Sequence, residues 1–152
     1  MQKKPYLIQF PKIGSSSVGY ISVAEVQNLI PFDVKRVFWT YYTPESIVRG
    51  RHAHHFTEMV LVAVSGRIIV NTEMQSGDIE TFVLERPDQG VYLPPYSWHT
   101  MQYSHTAVQL VLASTVYDET DYIRDYETFK KVPASEFDLQ SKGLDSTIET
   151  HS

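Results

Sequence analysis

The chain has 152 residues, of which 42% are hydrophobic and 20% are charged, and its formal net charge is -5 at pH 7. This length predicts a single domain with its own core, and the mild acidity argues against broad nucleic-acid binding, which needs a basic surface. Because the chain has no cysteine, no run of about 18 apolar residues and no apolar leader, the sequence excludes disulfides and thiol chemistry and predicts a cytoplasmic protein without a membrane span.

The first third of the chain is predicted to form short strands. An apolar run ends at Pro11, a second segment alternates, and a third is rich in β-branched and aromatic residues up to Pro44. The predicted strands are residues 6–10, 20–26 and 34–43, with a loop at 14–17 and a turn at 28–32.

The middle of the chain reads as a series of strands. Apolar segments recur at intervals of about 8–12 residues with Gly, Pro or Asp between them, which is typical of a sandwich or barrel. Residues 59–64 and 67–72 flank Ser65-Gly66 and are predicted to pair as a hairpin. Further strands are predicted at 79–84, after the turn at 76–78, and at 91–93, 100–103 and 107–113. Neither a strand–helix alternation nor an internal repeat appears, so the sequence predicts an all-β fold.

The pattern changes after the last of these strands. Asp118 is predicted to cap a helix that runs to Lys131, with acidic residues in its first turn and lysines in its last. Four apolar and aromatic residues recur at helical spacing and are expected to face the barrel, namely Tyr122, Ile123, Tyr126 and Phe129. From residue 133 the chain is polar and weakly patterned. We therefore expect a domain of residues 1–132 and a polar tail of residues 133–152.

The most informative stretch surrounds His52 and His54. Residues i and i+2 of a strand share a face, so these side chains are expected to project side by side, with Gly50 allowing close backbone approach. His99 follows a Pro-Pro turn and is expected to lie close to His52 and His54 on another strand. With Glu58, the three histidines could bind a divalent ion. Alternatively, neutral imidazoles and nearby tyrosines could transfer protons without metal.

Several fragments resemble the sugar 3,4-ketoisomerases of the cupin superfamily, which act on dTDP-4-keto-6-deoxyglucose. The fragments are RGxHAH at 49–54, PFDVKRV at 31–37, WHxM at 98–101, LAS at 112–114 and YDExDYIRDY at 117–126. The resemblance implies a cupin-type jelly roll with a short C-terminal helical segment, in a homodimer that exchanges N-terminal strands. It also implies a metal-independent isomerase without cofactor. The enzyme would move the keto group of a dTDP-linked 4-keto-6-deoxyhexose from C4 to C3 through an enediol, in deoxy-amino-sugar biosynthesis for a surface polysaccharide such as an O-antigen.

The resemblance also implies roles for individual side chains. His52 and His54 are the candidate proton carriers, and which of them is the base stays open. Tyr42, from the Tyr41–Tyr42 pair, is a third catalytic candidate, and Arg49 is expected to grip the diphosphate in a forked geometry. The remaining substrate-binding candidates are His99, Arg36 and Trp98, which either stacks on the nucleotide or fills the barrel mouth.

Two positions depart from the family pattern, and three other functions stay open. Met59 stands where the family tends to carry Gln, and Val18 stands where a charged residue is common. These changes leave the sugar and the stereochemistry at C4 open. The alternatives are a metal-dependent cupin enzyme, a non-catalytic sugar-nucleotide binder, and a 3,5-epimerase, which would exchange hydrogens at C3 and C5 without moving the ketone.

Overall fold

The computed structural model describes residues 3–132, and the predicted tail lies outside them. Within these residues the strands form two five-stranded sheets and a separate two-stranded hairpin. The strands are β1 (Tyr6–Gln9), β2 (Ile13–Ser15), β3 (Gly19–Ile21), β4 (Arg36–Tyr41), β5 (Val48–His54), β6 (Met59–Ser65), β7 (Ile68–Met74), β8 (Ile79–Leu84), β9 (Gln89–Leu93), β10 (Ser97–Tyr103), β11 (Val108–Ala113) and β12 (Tyr122–Ile123). A 3-10 turn (Glu119–Asp121) precedes β12, and helix α1 (Tyr126–Lys131) follows it. No helix in this part of the chain is long and apolar enough to cross a membrane.

The two large sheets face each other. The first sheet has the order β1-β9-β6-β11-β4, and the second has the order β12-β5-β10-β7-β8. Their strand pairs are antiparallel, as in the register of β10 with β5 and β7. The chain crosses repeatedly from one sheet to the other, which makes the fold a cupin-type jelly roll and confirms the all-β prediction.

The core fills the space between the sheets. Leu61 and Val111 of the first sheet meet Val70 and Leu84 of the second, and each is buried. On β7 the side chains alternate between buried and half-buried, as expected for a strand with one face on the core. Burial of each such side chain contributes about 1.5–3 kcal/mol. These contacts hold the two sheets together.

The predicted hairpin of residues 59–72 is wrong, because β6 and β7 lie in opposite sheets. β6 pairs with β9 and β11, whereas β7 pairs with β8 and β10. The physical reason is that β6 is apolar on both faces: its outer side chains Val60 and Val62 pack under Phe10 and Ile30. Such a strand needs cover on both sides. The predicted turn at 76–78 does join a hairpin, β7 with β8.

The N-terminal prediction also differs from the structure. The predicted loop at 14–17 forms part of the hairpin of β2 and β3, and the strand predicted for 20–26 ends at Ile21. All residues of this hairpin are exposed, so it leaves no burial pattern in the sequence. Its backbone pairing instead holds the two short strands together.

The single helix predicted from Asp118 is two short elements with a strand between them. The Asp118 side chain accepts from the Thr120 N–H at 3.0 Å and caps the 3-10 turn, whereas Asp125 accepts from the Thr128 N–H at 2.9 Å and caps α1. Between them β12 pairs with the end of β5. Two caps seven residues apart therefore divide the segment, and the strand pairing places Tyr122 beside the histidines.

Candidate active site

A cavity of about 220 Å³ lies between the sheets and is lined from both. β5 and β10 of the second sheet supply its histidines, and the inward faces of β4, β6 and β11 supply its apolar wall. The lining residues are Phe38, Thr40, Arg49, Gly50, His52, His54, Met59, Leu61, His99, Met101, Tyr103, Gln109, Val111, Tyr122 and Arg124. The cavity thus combines an apolar wall with a cluster of titratable side chains.

Strand geometry brings three imidazoles together. His52 and His54 share a face of β5, and His99 of β10 lies opposite His52 in register. The ring centroid of His52 is 5.0 Å from that of His54 and 4.6 Å from that of His99. One ring nitrogen from each residue lies within 4.8 Å of the others. The structure therefore places the predicted histidines around a single point.

Each of these rings has an acceptor behind it. Nδ1 of His52 lies 3.0 Å from the Gly50 carbonyl oxygen, and Nδ1 of His99 lies 3.0 Å from the Ser97 carbonyl oxygen. Nδ1 of His54 lies 3.1 Å from Oδ2 of Asp121. Since carbonyl and carboxylate oxygens only accept, each Nδ1 donates, and the neutral rings carry their lone pairs on Nε2. Nε2 of His54 and of His99 is buried, with no hydrogen-bond partner among residues 3–132.

Burial keeps at least two of the rings neutral. Desolvation, followed by repulsion from His54, lowers the pKa of His52 to about 4. Desolvation also lowers the pKa of the fully buried His99 well below its usual range, and His52 and His54 add to the effect. Near pH 7 these imidazoles can accept a hydrogen bond or a proton through Nε2.

Gly50 sets the spacing between β5 and β10. Its φ is +85°, and a Cβ atom added there would lie 2.7 Å from the His99 carbonyl oxygen. The register of the two strands shifts beside it, between His99 and Thr100. The close approach expected for this glycine therefore occurs where His52 and His99 meet.

Tyr122 is a cavity residue that the sequence analysis assigned to packing. Its ring centroid lies 4.4 Å from that of His54 and 5.0 Å from that of His52. The Arg124 guanidinium carbon lies 4.2 Å from the centre of the Tyr122 ring, and Glu119 holds Arg124 through two hydrogen bonds of 2.7 and 3.0 Å. No local pattern marks it, because the sequence from Asp121 to Arg124 does not alternate between polar and apolar residues.

Two arginines and a buried phenol complete the polar lining. Arg49 and Arg124 are exposed side chains at the cavity, and Arg49 makes no ion pair within the described chain. Inside, the Tyr103 hydroxyl donates to Oε1 of Gln109 at 3.3 Å, and burial raises the pKa of Tyr103 to about 12. Tyr103 therefore stays protonated. Neither Tyr103 nor Gln109 was singled out from sequence, because both read as ordinary strand residues.

The structure does not bring three of the predicted site residues to the cavity. Tyr42 follows the end of β4 with a φ of 59° and is 82% exposed. Trp98 adjoins His99, so alternation turns it to the other face, where its ring lies 5.7 Å from that of Phe129. Of the two roles considered for Trp98, stacking on the nucleotide or packing, this contact corresponds to packing. The Arg36 guanidinium lies against Phe38, 5.2 Å from the ring centre, and does not line the cavity.

Glu58, the fourth predicted metal ligand, lies away from the histidines. It accepts hydrogen bonds from the Tyr92 hydroxyl and, at 3.0 Å, from Nζ of Lys3. The predicted ligand set therefore reduces to three imidazoles. Such a set fits a divalent ion such as Zn²⁺ in donor type and number, with the carboxylate missing.

The fold and the cavity define this chain as an enzyme of the cupin superfamily. A family model described as FdtA: WxcM-like, C-terminal, matches residues 3–134. The chain is 40% identical over 140 residues to TDP-4-oxo-6-deoxy-alpha-D-glucose-3,4-oxoisomerase of Aneurinibacillus thermoaerophilus, a match that spans 90% of this chain and 97% of that protein.

Solved structures agree with this match. QdtA, a sugar 3,4-ketoisomerase from Thermoanaerobacterium thermosaccharolyticum in complex with TDP, has a TM-score of 0.82 and 33% identity over 90% of this chain and 99% of its own. The WlaRB TDP-quinovose 3,4-ketoisomerase of Campylobacter jejuni has a TM-score of 0.79 and 33% identity over 86% and 99%. The chain belongs to the FdtA/WxcM-like family of sugar 3,4-ketoisomerases.

Proposed function

We propose that this enzyme isomerises dTDP-4-keto-6-deoxyglucose by moving its keto group from C4 to C3. The observation that carries the proposal is the convergence of His52, His54 and His99 in one cavity, with Nε2 of His54 and His99 buried and unpartnered among the described residues. The 40% identity to an oxoisomerase of this type supports the same reaction. A role in the supply of a deoxy-amino sugar to a surface polysaccharide, in the cytoplasm, stays a prediction.

The reaction needs proton transfers alone. The C4 ketone acidifies the hydrogen on C3, a base removes it, and O4 takes a proton to give an enediol. The hydroxyl on C3 then gives up its proton while C4 receives one, so the ketone ends at C3. Atoms and electrons balance without an oxidant. The protein must supply a proton acceptor of suitable basicity and hydrogen-bond donors for the enediol oxygens.

The cavity offers side chains for each of these tasks. We assign His52 and His54 as the proton carriers, with His99 and Tyr103 facing the sugar oxygens. Arg49 is assigned to the diphosphate, which a guanidinium can bind through two parallel hydrogen bonds. Arg124 lies at the same cavity as a second cation. Tyr42, Trp98 and Arg36 have no part in this assignment, because none of them lines the cavity.

A coupled assay tests the proposal. The purified protein is incubated with dTDP-4-keto-6-deoxyglucose and a 3-aminotransferase, and aminated product is expected. The double variant His52→Asn, His54→Asn should form none, whereas His105→Asn, at an exposed position, should match wild type. No product from wild type, or equal product from the double variant, would contradict the proposal.

The same protein in deuterated water separates the alternatives. Proton exchange at C3 with movement of the ketone is the expected result. Exchange at C3 and C5 without movement of the ketone would indicate a 3,5-epimerase. Tight dTDP binding without exchange would indicate a sugar-nucleotide binder.

We also propose that catalysis is independent of metal. Dialysis against a strong chelator should leave the rate unchanged. Added Zn²⁺ should inhibit, because an ion held by His52, His54 and His99 would occupy the lone pairs that proton transfer needs. A rate that falls on chelation and returns on addition of one divalent metal would refute this.

Homodimer formation is a further proposal, supported by exposed apolar side chains on the β2–β3 hairpin and on β4. Ile13, Tyr20 and Ile21 of the hairpin are 56%, 51% and 65% exposed, and Trp39 of β4 is 60% exposed. Such surface is unusual on a monomer. Sedimentation should report a dimer for wild type and a smaller species for Trp39→Glu; a wild-type monomer at assay concentration would count against the proposal.

A further inference from the structure

The two sheets give the cavity walls of different chemistry. The second sheet contributes mainly polar side chains, among them the three histidines. Opposite them, Leu61 of β6, Val111 of β11 and Phe38 of β4 line the cavity and stand side by side in the register of their strands. Met59, two residues before Leu61 on β6, extends this surface. These four side chains are the apolar wall of the cavity.

The apolar wall has no strong hydrogen-bonding group within reach. The polar side chains that line the cavity from the same sheet are Thr40 and Gln109. Each lies two residues along its strand from Phe38 or Val111, and two residues of a strand span about 7 Å. Oε1 of Gln109 also already accepts from the Tyr103 hydroxyl at 3.3 Å. A polar group held against Val111 would therefore find no partner on this side of the cavity.

The size of the cavity fits the sugar part of the substrate. Its volume of about 220 Å³ is smaller than the roughly 300–1,000 Å³ of pockets that hold drug-sized ligands, so it suits a hexose and not a whole sugar nucleotide. Carbons 3 and 4 of that hexose must reach the histidines for the proton transfers. The methyl carbon C6 is two bonds from C4, so it must lie in the same cavity.

The chemistry of the two walls then orients the ring. The C6 methyl group is the one apolar substituent of a hexose whose other substituents are oxygens. If the oxygens face the histidines and the methyl group faces the apolar wall, the polar groups keep hydrogen-bond partners. The opposite orientation would desolvate oxygens against carbon, and burial of a polar group without a partner is unfavourable.

We infer that the apolar wall is the binding site of the C6 methyl group, and that it makes the enzyme select 6-deoxy sugars over sugars that keep the 6-hydroxyl. This inference rests on the proposed function and adds to it the residues that recognise carbon 6. The expected selectivity is moderate, because an apolar pocket rejects an added hydroxyl by only about 10²-fold. For dTDP-4-ketoglucose, which keeps the 6-hydroxyl, kcat/KM should be about 10–10²-fold lower than for dTDP-4-keto-6-deoxyglucose.

The test measures the ratio of kcat/KM for these two sugar nucleotides, which does not depend on the folded fraction of a sample. Val111→Thr keeps nearly the same side-chain shape and adds a hydroxyl that can pair with the 6-hydroxyl, so the ratio should fall by about 3–10-fold, the usual effect of one hydrogen bond. Val60→Thr is the matched control. Val60 is also a buried valine of the first sheet, but it lies on the outer face with Phe10, so this variant should keep the wild-type ratio.

Two results would overturn the inference: equal kcat/KM of wild type for the two sugars, or a folded Val111→Thr that keeps the wild-type ratio. The wild-type ratio is decisive even if the variant does not fold. If wild type isomerises neither sugar, the proposed function fails, and titration calorimetry with the same two compounds then tests the apolar wall separately. A methyl site predicts at least about tenfold tighter binding of the 6-deoxy sugar, and equal dissociation constants would refute it.

Discussion

At the scale of single residues, Gly50 controls how closely the strands of the histidine cluster approach. Its positive φ and the 2.7 Å distance from a built Cβ to the His99 carbonyl oxygen mean that any side chain would push β5 away from β10. Gly77 offers a matched comparison, because its φ is also positive, at +94°, but a Cβ there would meet nothing within 4 Å.

We therefore expect Gly50→Ala to be more damaging than Gly77→Ala. Both carry the cost of a left-handed alanine, about 1–2 kcal/mol, and Gly50→Ala adds an overpacking cost of about 1–3 kcal/mol. Urea denaturation should report the difference in the free energy of unfolding. Isomerase activity should also fall in Gly50→Ala alone, since its strain separates His52 from His99. Equal stability of the two variants would show that β5 moves aside without cost.

The residue scale is also where sequence reasoning succeeded best for the site. The i, i+2 rule placed His52 and His54 on one face, because the irregular part of β5, at Gly50 and Arg51, ends just before them. The same rule turns Trp98 away once His99 faces inward. It could not place Tyr42, since the chain leaves the strand before that residue and takes up a left-handed conformation. Asp121 escaped notice because its partner, His54, is 67 residues away in the sequence.

At the scale of elements, the segment from the 3-10 turn to α1 contributes Tyr122 and Arg124 to the cavity lining. Phe129 of α1 is fully buried against Ala53, Tyr96 and Ile123, and Trp98 packs beside it. This cluster anchors α1 and β12 to the second sheet. Because β12 begins at Tyr122, directly after Asp121, the anchor also supports the contact of Asp121 with His54.

Truncation of this anchor should loosen the whole segment. Phe129→Ala is expected to lower the free energy of unfolding by about 3–5 kcal/mol, the usual cost of removing a buried phenyl ring. Phe56→Ala is the control, because Phe56 is 54% exposed; its cost should stay within about 0.5 kcal/mol. Urea denaturation measures both. If the two variants are equally stable, the cluster does not anchor α1.

The pairing of the strands was harder to predict than their positions in the sequence. Most strands were located within a few residues, since alternation or continuous apolar character marks them. Their pairing could not be predicted in the same way. The predicted hairpin of β6 and β7 was wrong because a turn such as Ser65-Gly66 can connect strands of two different sheets as well as two paired strands. In the segment after Asp118, helical spacing of Tyr122 and Phe129 outweighed the second cap at Asp125, although that cap marks the true start of α1.

At the scale of the whole molecule, the buried histidines link stability to pH. The pKa of His52 is lowered to about 4 and that of His99 lies well below 6.5 in the folded protein, whereas both should titrate near 6.5 when unfolded. Between about pH 4 and 6.5 the unfolded chain therefore binds more protons than the folded chain. Acidification through this window must favour unfolding, and stability is fully present above it.

We expect the melting temperature to fall as the pH is lowered from 6.5 toward 4.5. His52→Asn should weaken this dependence, because the variant lacks one of the suppressed protonations. His105→Asn, at an exposed position, should keep the wild-type slope. Differential scanning calorimetry at several pH values measures the slopes, and identical slopes for His52→Asn and wild type would contradict the expectation.

The strand order of the first sheet has a consequence for how the chain acquires its structure. Within residues 3–132, the neighbours in this sheet are β1 with β9, β9 with β6, β6 with β11, and β11 with β4, so each contact joins distant parts of the sequence. Long loops must close before any of these ladders forms, which slows folding into the millisecond-to-second range. During synthesis β1 cannot pair until β9 has been made, and β4 cannot pair until β11 has been made. A nascent chain stopped after β10 would leave β4 unpaired, an exposed apolar edge that invites chaperones or aggregation.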